Sequence, residues 1–246
     1  MTAAAWVPVR NALVLAAGNG DRFRSRTGQS KLLEPLLGKP LIVRTLETAH
    51  DAGISAFEIV VGYQADDVRS AIERSIPRGV SIHFNINPDW QLENGVSVLA
   101  ARHRLAHKRF ALLMGDHLFE SRVLARLLHT PAAEQESLLA IDARPTTPEL
   151  AAEATKVRLN GTRIVAIGKK LSTYDAIDTG LFVCAPVLFP ALAASRKEGD
   201  TTLSGGIRHL AARGLMRSVE IDGAAWHDID TMSDLEMAES LLAEHA

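Results

Sequence analysis

Ala12-Leu13-Val14-Leu15-Ala16-Ala17-Gly18-Asn19-Gly20-Asp21-Arg22-Phe23 is the stretch on which the reading of this chain turns. Six apolar residues in a row fit a strand buried on both faces. They run directly into a loop with two glycines. Glycine lets backbone approach an anion closely, and the exposed N–H groups of such a loop cradle phosphate. Two familiar phosphate loops do not match. The Walker A pattern G-x-x-x-x-G-K-[ST] is absent. The dinucleotide fingerprint needs a third glycine where Phe23 stands, which argues against a dehydrogenase.

Outward from this loop, short apolar runs alternate with amphipathic stretches. Leu41 to Ala52 has helical spacing and ends at Gly53, a C-cap residue. Phe57 to Val61 reads as a strand, Ala65 to Ser75 as a helix closed by Pro77, and Val80 to Asn85 as a third strand. Val96 to His107 predicts one helix, followed by strands over Phe110–Met114 and Leu138–Asp142. Strand and helix in turn predict a Rossmann-like α/β fold, with a mostly parallel sheet and helices on both faces. Arg144-Pro145-Thr146-Thr147-Pro148 predicts a turn region, and the pattern changes there. Lys156–Leu159 and Arg163–Ile167 flank Asn160-Gly161, a strong hairpin signal. Asp178–Cys184 and Val219–Ile221 add strands. Ser233 to Glu244 predicts a final helix, with Ser233 as N-cap and Glu236 completing a capping box. A single domain over 1–246 is expected, with 1–143 mainly nucleotide-binding. Residues 144–246 are then a small β-rich, acceptor-binding elaboration with the C-terminal helix.

Carboxylates fall where such a sheet would use them. Asp116 follows the strand Phe110–Met114, and the C-terminal ends of strands open onto the ligand crevice. Trp226-His227-Asp228-Ile229-Asp230-Thr231 offers two more. Magnesium prefers one or two carboxylates together with phosphate oxygens and water. Asp116 is the first candidate ligand. If the second segment is extended, Asp230 faces the same side as Asp228. His117 and His227 raise the question of zinc. The absence of cysteine there, and work among phosphates, favour magnesium. His117 is expected to orient groups or contact substrate.

The 246 residues are 47% hydrophobic and 23% charged, enough for a substantial core. A formal net charge of -2 gives no global positive field for nucleic acid. One cysteine, Cys184, excludes an internal disulfide and fits a reducing cytosol. The first residues show no secretion signal, and no run reaches the roughly 18 apolar residues of a membrane span. A cytoplasmic protein without membrane insertion is expected.

The loop also resembles a larger family. Leu15 to Arg22 matches the nucleotidyltransferase pattern L-A-A-G-x-G-x-R at every fixed position, and Lys31 to Ile42 resembles the lysine block that follows it. Met114-Gly115-Asp116-His117, Glu153-Ala154-Thr155-Lys156-Val157, Ile167 to Leu171, Asp178 to Val183 and Trp226 to Thr231 then occur in one order. Together these blocks resemble the CTP:inositol-1-phosphate cytidylyltransferases, over almost the whole chain after Trp6. The resemblance implies a nucleotide-diphospho-sugar transferase fold, Mg²⁺ as cofactor, and CTP plus a phosphorylated cyclitol as substrates. It implies that Leu15, Ala16, Ala17, Gly18, Asn19, Gly20, Asp21 and Arg22 hold the nucleotide, with Lys31 near the α-phosphate. Asn94, Gly95 and Ser97 resemble the base-reading loop. Asp116 and Asp228 are implied as metal ligands, with Asp230 second choice. Arg22, Lys31, Asp116 and Asp228 make up the implied catalytic set. His117, Glu153, Lys156, Asp178 and Gly180 are implied at the acceptor. Val96 stands where family members often carry an aromatic residue, and Ser30 replaces a common proline. Some members are fused to a membrane-embedded CDP-alcohol phosphotransferase, which implies a functional link to such an enzyme. A choline-type acceptor would want an aromatic cage, and only 5% of residues are aromatic.

Overall fold

The computed structural model describes residues 8–20, 23, 28–76, 79–144 and 153–244. Asp21, Arg22, Pro77 and the prolines at 145 and 148 therefore lie outside the described residues. The elements of the described residues begin with β1 (Asn11–Ala16), followed by a 3-10 turn at Lys31–Leu33. Next come the short hairpin β2 (Pro35–Leu36) and β3 (Lys39–Pro40), then α1 (Leu41–Asp51), β4 (Ala56–Val61) and α2 (Ala65–Ser75). They are followed by β5 (Ser81–Ile86), α3 (Asn94–Ala100), α4 (Arg102–Leu105), β6 (Phe110–Met114), β7 (His117–Phe119) and α5 (Ser121–His129). The remainder holds β8 (Ser137–Asp142), β9 (Lys156–Asn160), β10 (Arg163–Gly168) and β11 (Ala176–Cys184). It closes with α6 (Leu188–Lys197), α7 (Leu203–Ala212), β12 (Met216–Glu220), β13 (Trp226–Asp228) and α8 (Met232–Glu244).

Among the described residues, nine strands form one mixed sheet in the order β5-β4-β1-β6-β11-β8-β12-β10-β9. β5, β4, β1 and β6 are parallel. Beyond them β11 runs antiparallel to both β6 and β8, and the hairpin β9–β10 adds further antiparallel pairs. Past a register break between Asp178 and Phe182, β11 exchanges its neighbour β6 for β9, with Ile177 opposite Lys156. The far half of the sheet thereby returns upon itself.

Strand alternation sorts the core onto the two faces of the sheet. Val14, Ile59 and Leu113 join the helix residues Ile42, Leu46, Val68, Leu124 and Leu127 in one apolar cluster. Leu13, Val60 and Leu112 join Val98, Leu188, Phe189, Ile207 and Leu210 in the other. Both faces of β1 are buried, which is why its sequence reads as a continuous apolar run.

Three local expectations need correction. Val96–His107 is not one helix: α3 starts at Asn94, and Ala101 (φ −93°, ψ 5°) breaks it from α4. The β9–β10 loop is Gly161-Thr162 rather than Asn160-Gly161, because Asn160 pairs with Arg163. Gly161 (φ 59°) then takes the first loop position, where positive φ favours glycine. The cap of α8 is Thr231, not Ser233. Thr231 Oγ1 accepts from Asp234 N at 3.2 Å, and the Asp234 carboxylate accepts from Thr231 N at 2.7 Å. A capping box needs its hydroxyl on the residue just before the helix, and Ser233 already lies in the first turn.

Candidate active site

Neighbouring strands bring the first residues together. β1 and β6 pair in parallel, Leu15 opposite Met114, so the glycine loop and Asp116 leave the sheet side by side. Gly115 N donates to Leu15 O at 2.9 Å. A Cβ on Gly115 would press on that oxygen and on Ile42, so glycine is needed for the chain to turn here. A small cavity of about 120 Å³ is lined by Leu15, Ala16, Gly18, Gly20, Lys31, Leu32 and Asp116. Gly20 sits at φ 63°, and a Cβ there would come within 3.0 Å of the Lys31 stem.

Lys31 is buried and triply held. Its Nζ lies 2.7 Å from Asp116 Oδ2 and 3.0 Å from Asp230 Oδ1, and donates to Ile229 O at 2.9 Å. Burial works against its charge, yet the Asp116 and Asp230 carboxylates outweigh it and raise its pKa. Burial likewise works against the Asp116 carboxylate, but Lys31 and His117 hold its pKa below the ordinary value. Both groups are therefore charged at neutral pH.

β7 and β13 form a two-stranded ribbon with His117 opposite Asp228. The His117 ring is fixed at both nitrogens. Nδ1 donates to Thr179 O at 3.0 Å, while Nε2 lies 3.5 Å from Asp228 Oδ1 and 3.9 Å from Asp116 Oδ1. Burial opposes its charge, but Asp228, Asp116 and the Thr179 carbonyl push its pKa up to about 9. Gly180 packs against the Cε1–Nδ1 side of this ring. Its φ is 77°, and a Cβ there would collide with the imidazole.

Asp116, His117 and Asp228 offer ligand atoms that all lie within 4.8 Å of one another. His227 is the strand neighbour of Asp228 and faces the other way. Asp230 is in another arrangement: β13 ends at Asp228, so strand alternation does not carry to 230. Its carboxylate pairs with Lys31, and its N–H donates to Asp234 at 3.0 Å.

Of the expected acceptor residues, Asp178 and Gly180 lie beside His117. Asp178 N donates to Thr155 O at 2.8 Å, and Asp178 Oδ1 accepts from Gly180 N at 2.8 Å. Burial raises the Asp178 pKa to about 6, against the pull of the Gly180 N–H and His117. Lys156 stands on β9 opposite Ile177, its Nζ 3.2 Å from Lys169 O and 5.7 Å from the Tyr174 ring centre. Glu153 is exposed, two residues before Thr155. Asn94, Gly95 and Ser97 serve the packing of α3. Asn94 Oδ1 accepts from Leu203 N at 2.8 Å, Gly95 abuts the Thr201 and Thr202 backbone, and buried Ser97 accepts from Asn87 Nδ2 at 3.0 Å.

One supporting residue was missed by motif reading. Buried Thr45 Oγ1 lies 3.1 Å from both Gly115 O and His117 O, bracing the turn that carries Asp116. Its signal was a threonine on the apolar stripe Leu41, Ile42, Leu46, Ala49 of α1.

Residues 12–213 match the profile of a family described as MobA-like NTP transferase domain. A protein of Rubrobacter xylanophilus named bifunctional IPC transferase and DIPP synthase is 36% identical over 241 residues, 94% of this chain and 51% of its own length. A protein of the same name from Aquifex aeolicus is 32% identical over 97% of this chain and 53% of its own. The chain thus spans about half the length of these relatives. The structure described as the inositol-1-phosphate CTP transferase from T. maritima superimposes with a TM-score of 0.84. It is 24% identical and covers 96% of this chain and 97% of its own, a likeness of fold. Among the described residues, no helix is long and apolar enough to cross a membrane.

Proposed function

Because the chain belongs to the family of MobA-like NTP transferase domains, we propose that it transfers CMP from CTP to inositol 1-phosphate, giving CDP-inositol and pyrophosphate. The observation that carries the reaction type is the convergence of Lys31, Asp116 and Asp228 beside the glycine loop. The acceptor is supported by the names of the relatives that match nearly the whole chain.

The residues suit a divalent cation, with Mg²⁺ as the finer assignment. Asp116 and Asp228 supply hard oxygen donors, and two carboxylates completed by phosphate oxygens and water match magnesium's preference. Magnesium takes oxygen ligands, so the His117 ring, which lies beside both carboxylates, is a neighbour rather than a ligand. The bound ion would neutralise charge on the triphosphate.

The chain's own groups do the rest. In the transfer, an acceptor phosphate oxygen forms a bond to the α-phosphorus and the α–β bridge breaks. The acceptor phosphate is already anionic, so no general base is required. Catalysis then reduces to alignment and charge stabilisation. The glycine-loop backbone cradles the triphosphate, with Arg22 as a fork for its terminal phosphates. Lys31 supplies a point charge near the α-phosphate. Lys156 supplies positive charge on the acceptor side, where His117 orients groups or contacts the substrate. Asp178 and Glu153 accept hydrogen bonds from ring hydroxyls.

Pyrophosphate release tests the reading, with CTP, UTP and GTP each offered inositol 1-phosphate, phosphocholine, a phosphonate and a sugar 1-phosphate. Turnover with CTP and inositol 1-phosphate is expected to exceed every other combination. No pyrophosphate from any triphosphate with inositol 1-phosphate would sink the specific assignment.

A further inference from the structure

Gly62-Tyr63-Gln64 joins β4 to α2 and contributes no group to the charged cluster described above. It touches both arms of the glycine loop. On the incoming arm, Tyr63 N donates to Ala17 O at 2.9 Å. The approach is so close that a Cβ on Gly62 would lie 2.9 Å from that oxygen and 2.5 Å from Trp90 Cβ. On the outgoing arm, Gln64 Oε1 accepts from Ser30 N at 2.7 Å, and Nε2 donates to Gly28 O at 3.1 Å. Ser30 is buried and caps the 3-10 turn that begins with Lys31. The Tyr63 ring rests on Trp90, with centres 5.4 Å apart.

Gln64 holds a left-handed backbone, φ 46° and ψ 41°. That conformation is unfavourable for a residue with a Cβ and persists where the surroundings impose it. The side chain explains the residue type. One carboxamide meets a backbone donor and a backbone acceptor of the same arm at once. A carboxylate could not donate to Gly28 O, and an asparagine is one methylene shorter.

We infer that Gly62-Tyr63-Gln64 is a clamp that sets the width of the phosphate loop, with Gln64 as a positioning residue for Lys31 and the bound triphosphate. This rests on the reading of the loop as a phosphate cradle. Tyr63 fixes residue 17, just before Gly18, and Gln64 fixes residues 28 and 30, just before Lys31. The clamp belongs to the binding of CTP and leaves the acceptor side alone.

The test measures CTP affinity by calorimetry with Mg²⁺, together with melting temperature and both KM values, for the wild-type chain, Gln64→Gly and Gln64→Asn. Both replacements tolerate left-handed backbone. Gln64→Gly is expected to melt at or above the wild-type temperature yet bind CTP about tenfold more weakly. The KM for the acceptor should stay unchanged. Gln64→Asn is expected to fold and show the same split. Wild-type CTP affinity in either folded variant would overturn the clamp, as would parallel weakening of both substrates. Unfolding of both variants would mark Gln64 as a folding residue and also overturn it. A wild-type chain that binds no nucleoside triphosphate would instead break the reading of the loop itself, and the clamp with it.

Discussion

Lys31 and Asp116 lie 85 positions apart in the chain, and their charged atoms meet at 2.7 Å. The pair joins the end of the glycine loop to the end of β6. It holds a buried ammonium against a half-buried carboxylate, both charged. Electrostatic groups fixed in advance in such surroundings act more strongly than in bulk water.

Replacing Asp116 with asparagine keeps the shape and removes the charge. Lys31 retains Asp230 and the Ile229 carbonyl, so the fold should hold. Turnover is expected to fall by about two to three orders of magnitude, the scale of losing one preorganised charge-stabilising group. Steady-state rates and a thermal melt check this. A stability loss matching a buried Leu13→Ala, about 2–5 kcal/mol, would mark Asp116 as structural.

Gly180→Ala asks whether the glycine exists to seat His117. Positive φ and the collision with the imidazole act together. A destabilisation of about 1–3 kcal/mol is expected from strain of this kind. The His117 ring resonances should also shift in NMR spectra. A wild-type melting temperature with unmoved resonances would remove the stated role.

Asp178 gives a pH signature in stability. Its folded pKa of about 6 exceeds the ordinary value of 3.8, so the folded state holds the proton more tightly. Between those two values the folded form binds more protons, and this group's contribution to stability declines as pH rises through the window. Asp178→Asn retains an oxygen acceptor for Gly180 N without the titration. The difference in melting temperature, variant minus wild type, should be more positive at pH 7.5 than at pH 4. An equal difference at both pH values would contradict the assignment.

Lys156→Ala should weaken acceptor use while leaving CTP affinity unchanged. The side chain lies at the surface of β9, with Lys169 O and the Tyr174 ring beside it. Stability should change by no more than about 0.5 kcal/mol, as for most surface substitutions. Acceptor KM and CTP binding, measured separately, decide this. An effect confined to CTP would move Lys156 to the nucleotide side.

The chain's local signals determined much of the first half. The apolar run of β1, the spacing of α1 and α2, and the glycine loop depend on interactions within a few residues, so composition and period reveal them. Gly53 illustrates this: it follows α1 at φ 111° and donates to His50 O at 2.8 Å. The order of the blocks also indicated that Lys31, Asp116 and Asp228 belong to one site. Local reading failed where neighbours decided the outcome. Thr231 outcompeted Ser233 as a cap, and pairing of Asn160 with Arg163 moved the hairpin turn by one residue. Only the tertiary structure could show that Asp230 pairs with Lys31, that Gly180 makes room for His117, and that Gln64 bridges Gly28 and Ser30. The physical reason is range. Backbone preference acts along the chain, whereas a charge partner, a missing Cβ or a bridging amide acquires its role from groups that the sheet brings within contact distance. The glycine loop was legible alone; what aligns it was not.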